Sequence, residues 1–115
     1  SRPWSRMHPA QDMILSTDAR GDFEIKALLD EDRQFAFVYS AKGQSFTIDK
    51  SRIEAKRIKE IWYDPRYGVS YLVHTGDTQA IQTYTPPTSG RGQDWILIIE
   101  NAELGWDLPG HAASN

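Results

Sequence analysis

Arg57–Val73, RIKEIWYDPRYGVSYLV, reads as strand, turn, strand. Ile58, Ile61, Trp62 and Tyr63 are residue types that suit a pleated, half-buried surface. Asp64-Pro65-Arg66-Tyr67-Gly68 supplies turn chemistry: Pro65 presets φ at a turn corner, Asp64 accepts backbone N–H groups, and Gly68 tolerates positive φ. Beyond it Val69, Tyr71 and Val73 alternate with Ser70 and His74, the period-2 pattern of a strand with one buried face.

Working outward from this hairpin, further short strands are expected. They run over Phe23–Leu29, Gln34–Ser40, around Phe46 and Ile48, over Gln79–Thr85 and over Trp95–Glu100. Asp30-Glu31-Asp32-Arg33 makes a charged hairpin tip, Asp49–Lys56 could hold one helical turn, and Pro86–Gly92 is the strongest loop signal. Ser1–Asp22, broken by Pro3 and Pro9, reads as a short helical or irregular lead-in segment, with a helical turn over Ala10–Met13 and a turn at Asp18–Asp22, that packs on the core or on an upstream domain. Residues 23–102 form the core, and 103–115 a C-terminal tail that frays from Gly110. Seven or eight short strands between Gly, Pro and Asp turns, with little helical periodicity, predict an all-β antiparallel sandwich.

Two strands, Phe35–Tyr39 and Trp95–Ile99, are apolar on both faces. A sandwich strand needs only its inner face apolar. Trp95, Leu97 and Ile99 are assigned to the core, which leaves Ile96 and Ile98, with Ala36 and Val38, as a second apolar surface. Either the lead-in segment covers that surface or another domain does.

The chain has 115 residues, enough to bury a core, and 13 Lys and Arg against 16 Asp and Glu give a net charge of −3. Nucleic-acid or membrane-surface binding needs a basic excess, so neither partner is expected. No apolar run is long enough to span a bilayer. The absence of cysteine excludes a disulfide framework, a thiolate zinc site and a cysteine nucleophile. Ser1 opens no charged and then apolar leader, so a leader is expected to have been removed or the chain to be a piece of a longer protein.

Candidate chemistry is sparse. His8, His74 and His111 lack metal-ligand spacing, the Asp30–Asp32 run lacks the alternation of a calcium loop, and no metal or cofactor is expected. Lys50, Arg52, Lys56, Arg57 and Lys59 read as a solvated edge that discourages sheet pairing. Glycosidases use paired carboxylates, and Asp64, Asp94 and Glu100 adjoin strands, but Asp64 is already accounted for by its turn. No catalytic residue is assigned. Aromatic side chains are the better lead, because flat faces stack on sugar rings. Trp62 and Trp95 read as core anchors, while Tyr67 at the turn, with Arg66 beside it, and Trp106 near the tail are the ligand-binding candidates.

Four blocks in order carry a family resemblance. They are Pro3-Trp4 with His8-Pro9; Phe35–Tyr39 leading to Gly43; Trp62-Tyr63-Asp64-Pro65-Arg66-Tyr67-Gly68; and Pro86-Pro87 followed by Asp94-Trp95-Ile96-Leu97. Over residues 3–102 the chain resembles the collagen-binding domain family found at the C-terminus of glycoside-hydrolase-like and apiosidase-like proteins. Members often carry a small residue two positions before the tryptophan of the third block, where Glu60 stands here. The resemblance implies a β-sandwich behind a (β/α)8 barrel that holds the catalytic carboxylates, in a secreted or extracellular protein. The chain is then expected to be a non-catalytic accessory module that docks on the barrel through Pro3, Trp4, Ala36, Val38, Ile96 and Ile98, with polysaccharide a possible ligand. The alternative is an adhesion-type module that binds collagen or another extracellular protein.

Overall fold

The computed structural model describes residues 4–17, 25–77 and 79–112. Its strands are β1 (Met7–Pro9), β2 (Ile14–Thr17), β3 (Ile25–Asp30), β4 (Phe35–Ser40), β5 (Phe46–Asp49), β6 (Ile58–Asp64), β7 (Val69–Gly76), β8 (Ile81–Tyr84), β9 (Trp95–Asn101) and β10 (His111–Ala112). A seven-stranded sheet runs β1-β3-β4-β9-β6-β7-β10, and a three-stranded sheet runs β2-β5-β8. All pairings are antiparallel except the short parallel contact of β10 with β7. The fold is the expected antiparallel β-sandwich.

The hairpin forms as its sequence requires. Asp64 ends β6, its side chain accepts Arg66 N–H at 2.9 Å, and its carbonyl accepts Gly68 N–H at 2.9 Å. Gly68 sits at φ +66°, a conformation that costs other residues a Cβ clash. The two strands with two apolar faces, β4 and β9, are neighbours in the interior of the large sheet. Their register sorts the faces. Val38, Leu97 and Trp62 lie side by side across β4, β9 and β6, and all three belong to the inter-sheet core with Phe46, Ile48 and Tyr84 of the small sheet. Trp62 is the centre of that core, meeting Phe46, Tyr84 and Trp95 edge-on with ring centroids 6.0, 6.4 and 6.2 Å apart.

The row one residue along, Phe37, Ile98 and Ile61, faces outward and forms a second cluster with Phe35. This corrects the face assigned to β4. Ala36 and Val38 are fully buried between the sheets, and Phe35 and Phe37 supply the outer apolar surface instead. An alternation in which both residue sets are apolar carries no sign, so only the register can say which set points in.

Further differences sit at the ends. The lead-in, expected to be helical or irregular, holds short 3-10 turns at Trp4–Arg6 and Gln11–Met13, but its residues 7–17 also provide an edge strand to each sheet. Pro9 is tolerated because β1 is at the sheet edge, where a missing N–H breaks no interior ladder. Arg6 pairs with Asp30 (Nε to Oδ1, 3.2 Å) and with Asp32, tying this segment to the β3–β4 turn. Asp49–Lys56 makes hydrogen-bonded turns rather than a helical turn, with Ile53 N–H on Lys50 C=O at 3.0 Å. His111–Ala112, expected to fray, form β10. Pro3, Phe23 and the turn expected at 18–22 lie outside the described residues.

Candidate functional site

The outer face of the large sheet carries a groove of about 560 Å³, within the usual range of small-ligand sites. Its floor is Phe37, Tyr63, Ile96 and Ile98, and its wall is the segment 105–110. The wall follows from local sequence. After β9 the Asn101 side chain caps a 3-10 turn at Ala102–Leu104 by accepting Glu103 N–H at 3.0 Å, and Gly105 at φ +66° reverses the chain. Residues 105–110 then return across the sheet. Trp106 packs edge-on against Phe35 with centroids 5.2 Å apart, and Leu108 joins the same cluster. Lys59 Nζ donates to the Trp106 carbonyl, and Ser70 Oγ donates to that of Pro109. Among the described residues, the surface left open by the sequence reading is therefore roofed mainly by the C-terminal segment, with Met7 packing against it from the N-terminal one. Ile98 is buried beneath this roof, and Ile96 is half-buried at the groove.

Trp106, expected to be exposed, is half-buried. Tyr67 is 71% exposed at the tip of the β6–β7 turn, and the Arg66 guanidinium lies over its ring at 5.0 Å. Arg66 also forks onto Asp64, Nε to Oδ1 at 3.0 Å and Nη2 to Oδ2 at 2.9 Å. Burial pushes the Asp64 pKa up, but the Arg66 hydrogen bonds, with backbone N–H donors, outweigh it and hold the carboxyl below its ordinary value. Trp4 opens a 3-10 turn at Trp4–Arg6.

Of the three carboxylates weighed for catalysis, Asp64 and Glu100 are not arranged as an acid/base pair. Asp64 is five residues along β6 from Lys59, which faces Glu100, so Asp64 and Glu100 are separated by roughly 16 Å along the strand. Glycosidase pairs stand about 5–9.5 Å apart. Asp94 accepts the Tyr39 hydroxyl at 2.7 Å and Lys42 N–H at 3.2 Å. That hydrogen bond, with burial and the Asp94 charge, pushes the Tyr39 pKa up to about 12. His74 Nε2 lies 2.6 Å from the Asp77 carbonyl, and His8 is an exposed neighbour of Glu31 at 3.9 Å. The His111 side chain lies outside what is described.

Lys50 reverses its assignment to a solvated edge: it is buried between the sheets against Glu60. Glu60 itself carried a signal, since its spacing from Trp62 puts it on the same inward face. Its partners, ten and more residues away along the chain, could not be read from spacing.

Residues 8–100 match the family described as "Putative collagen-binding domain of a collagenase". A solved structure named "Glycoside hydrolase" superposes with a TM-score of 0.76 at 17% identity. A glycoside hydrolase family 5 protein from Bacteroides vulgatus ATCC 8482 does so with a TM-score of 0.76 at 19% identity. Each superposition covers 89% of this chain but 22% of the other. At such identities the likeness is one of fold. No curated protein matches.

Proposed function

The chain belongs to the collagen-binding domain family, and from that premise we propose that it is a non-catalytic accessory module of an extracellular glycoside-hydrolase-like protein. In this reading it is seated against a catalytic (β/α)8 barrel of the same polypeptide, where it also contacts polysaccharide. The observation that carries the reading is the pair of coverages: nearly all of this fold recurs inside glycoside hydrolases of which it makes up about a fifth. The carboxylate geometry supports it. Asp64, forked by Arg66, is an acceptor held ionised, unsuited to deliver a proton to a leaving group.

The groove suits a sugar ring better than a flat protein surface does. Trp106 and Tyr63 offer aromatic area, Asp107 offers a carboxylate, and the segment 105–110 offers backbone polar groups. Tyr67 with Arg66 is a second exposed contact at the adjoining turn.

Affinity electrophoresis of the purified chain in gels containing soluble polysaccharides, alongside a triple-helical collagen peptide, tests the ligand. Retardation by a glycan that is lost in Trp106→Ala is expected, with no turnover of any glycan. Binding of the collagen peptide alone would replace the glycan reading by the adhesion one. Hydrolysis abolished by Asp64→Asn or Asp94→Asn, with the fold intact, would overturn the accessory role.

A further inference from the structure

We propose that the module seats on the catalytic domain of its own polypeptide through the exposed side chains of β7, with Tyr71, Leu72 and Val73 at the centre of the contact. The inference rests on the accessory reading above and names the surface that serves it. β7 has β6 on one side; on the other, β10 reaches only Val69 and Ser70, and among the described residues no strand continues beyond them. Three successive large apolar side chains wrap around this strand, Tyr71 (41% exposed) and Val73 (45%) on the side of the small sheet and Leu72 (55%) on the outer face. On the neighbouring edge strand of the small sheet Ile81 is 55% exposed, and Val73 and Gln82 line one hollow between the two strands.

Sheet edges that face water are normally blunted by lysine, inward-pointing charge or proline. The β7 sequence VSYLVHTG contains no lysine, arginine, acid or proline. Large exposed apolar side chains gathered along one strand point to an interaction site.

Two features select the occupant. A second copy or an added strand would pair with the bare backbone, but the ladder shifts register between Glu60 and Ile61, and such a bulge twists an edge away from continued pairing. Side-chain contact with a domain surface is unaffected by that twist. The same fold, in the glycoside hydrolases it resembles, accounts for 22% of the chain, which leaves a much larger body beside it. The outer-face groove is a weaker seat, because residues 105–110 already roof it.

Amide hydrogen exchange on the 115-residue chain and on the longer polypeptide that contains it tests the proposal. Slower exchange at Tyr71–Thr75 in the longer protein is expected, together with a single calorimetric transition that splits in two in Leu72→Asp. Leu15→Asp, at a residue 51% exposed on the small sheet, should leave one transition. New protection elsewhere with β7 unchanged overturns this surface and leaves the accessory reading standing. A longer polypeptide with no glycosidase domain overturns both. A concentration-dependent dimer of the chain alone, abolished by Leu72→Asp, assigns the edge to a second copy and overturns the proposal. The exchange comparison uses unsubstituted protein, so it stands even where a variant folds poorly.

Discussion

Lys50 Nζ lies 2.8 Å from Glu60 Oε2 in the space between the sheets, and each side chain is 1% exposed. The ammonium also donates to Gln82 Oε1 and to the Tyr84 hydroxyl, both at 2.7 Å, and Tyr84 in turn donates to Glu60. Burial, then Glu60, raises the Tyr84 pKa, so the phenol stays a donor throughout the working range. Removing one partner of a buried pair strands the other charge. Lys50→Met should therefore cost about 3–5 kcal/mol in urea denaturation, whereas Lys50→Met with Glu60→Leu should cost clearly less than the single change. Equal losses in the single and double variants would show that the pair is not coupled.

Leu97 and Ile96 separate the two faces of β9. Leu97 is fully buried between the sheets, so Leu97→Ala should cost about 2–5 kcal/mol by loss of contact and the cavity left behind. Ile96→Ala, at the half-buried groove, should cost less than half as much in the same denaturation series. A reversed order would mean that the register of β9 against β4 and β6 is wrong by one residue.

The Asp64–Arg66 fork makes stability depend on acid in one direction. Because the folded pKa of Asp64 lies below the ordinary value of 3.8, its contribution is fully present above that value and is lost as pH falls through the lower folded one. Asp64→Asn should lower stability at neutral pH and flatten the acid limb below about pH 4 in pH-jump denaturation curves. Tyr39 behaves in the opposite sense. Its pKa is raised from 10.0 to about 12, so its contribution is complete below pH 10 and disappears as pH rises through the folded value. Ultraviolet titration should show Tyr39 ionising late, beside a Tyr84 phenol that is also raised, and Asp94→Asn should shift only the Tyr39 step back toward 10.

Gly43 is the place where the Pro86–Gly90 loop closes on the β4–β5 turn. It sits at φ +65°, and a Cβ there would lie 2.0 Å from the Thr88 carbonyl oxygen. Gly90 N–H donates to Lys42 C=O at 2.8 Å in the same contact. Gly43→Ala should cost at least about 2 kcal/mol, since backbone strain and a clash with backbone atoms act together. A thermal midpoint equal to the parent's would contradict that packing.

The sequence made the middle of the molecule legible and its margins less so. The Arg57–Val73 hairpin could be read because turn chemistry and alternation agree there, and the two wholly apolar strands proved to be interior ones. Which face of β4 points inward was hidden, since Ala36 and Val38 compete with Phe35 and Phe37 for the core and only cross-strand register decides. β1 was masked by Pro9, a breaker everywhere except on an edge. Lys50 was misplaced because a lysine is buried only with partners, and those partners are tertiary. For the candidate site, Trp106 and Ile96 were named in advance, but the groove they share exists only because Gly105 turns the tail back.

The position of β9 between β4 and β6 has a consequence for the order of assembly. A chain emerging from the ribosome presents β4 and β6 well before the strand that joins them. Until Trp95–Asn101 arrives, two half-sheets wait with apolar faces and bare edges, and neither can close on the other. Pairings so distant in sequence carry a loop-closure cost and fold slowly. A nascent chain stalled before β9 should thus be a chaperone client rather than a smaller folded domain. The last long strand to be synthesised is the one that makes the sheet a sheet.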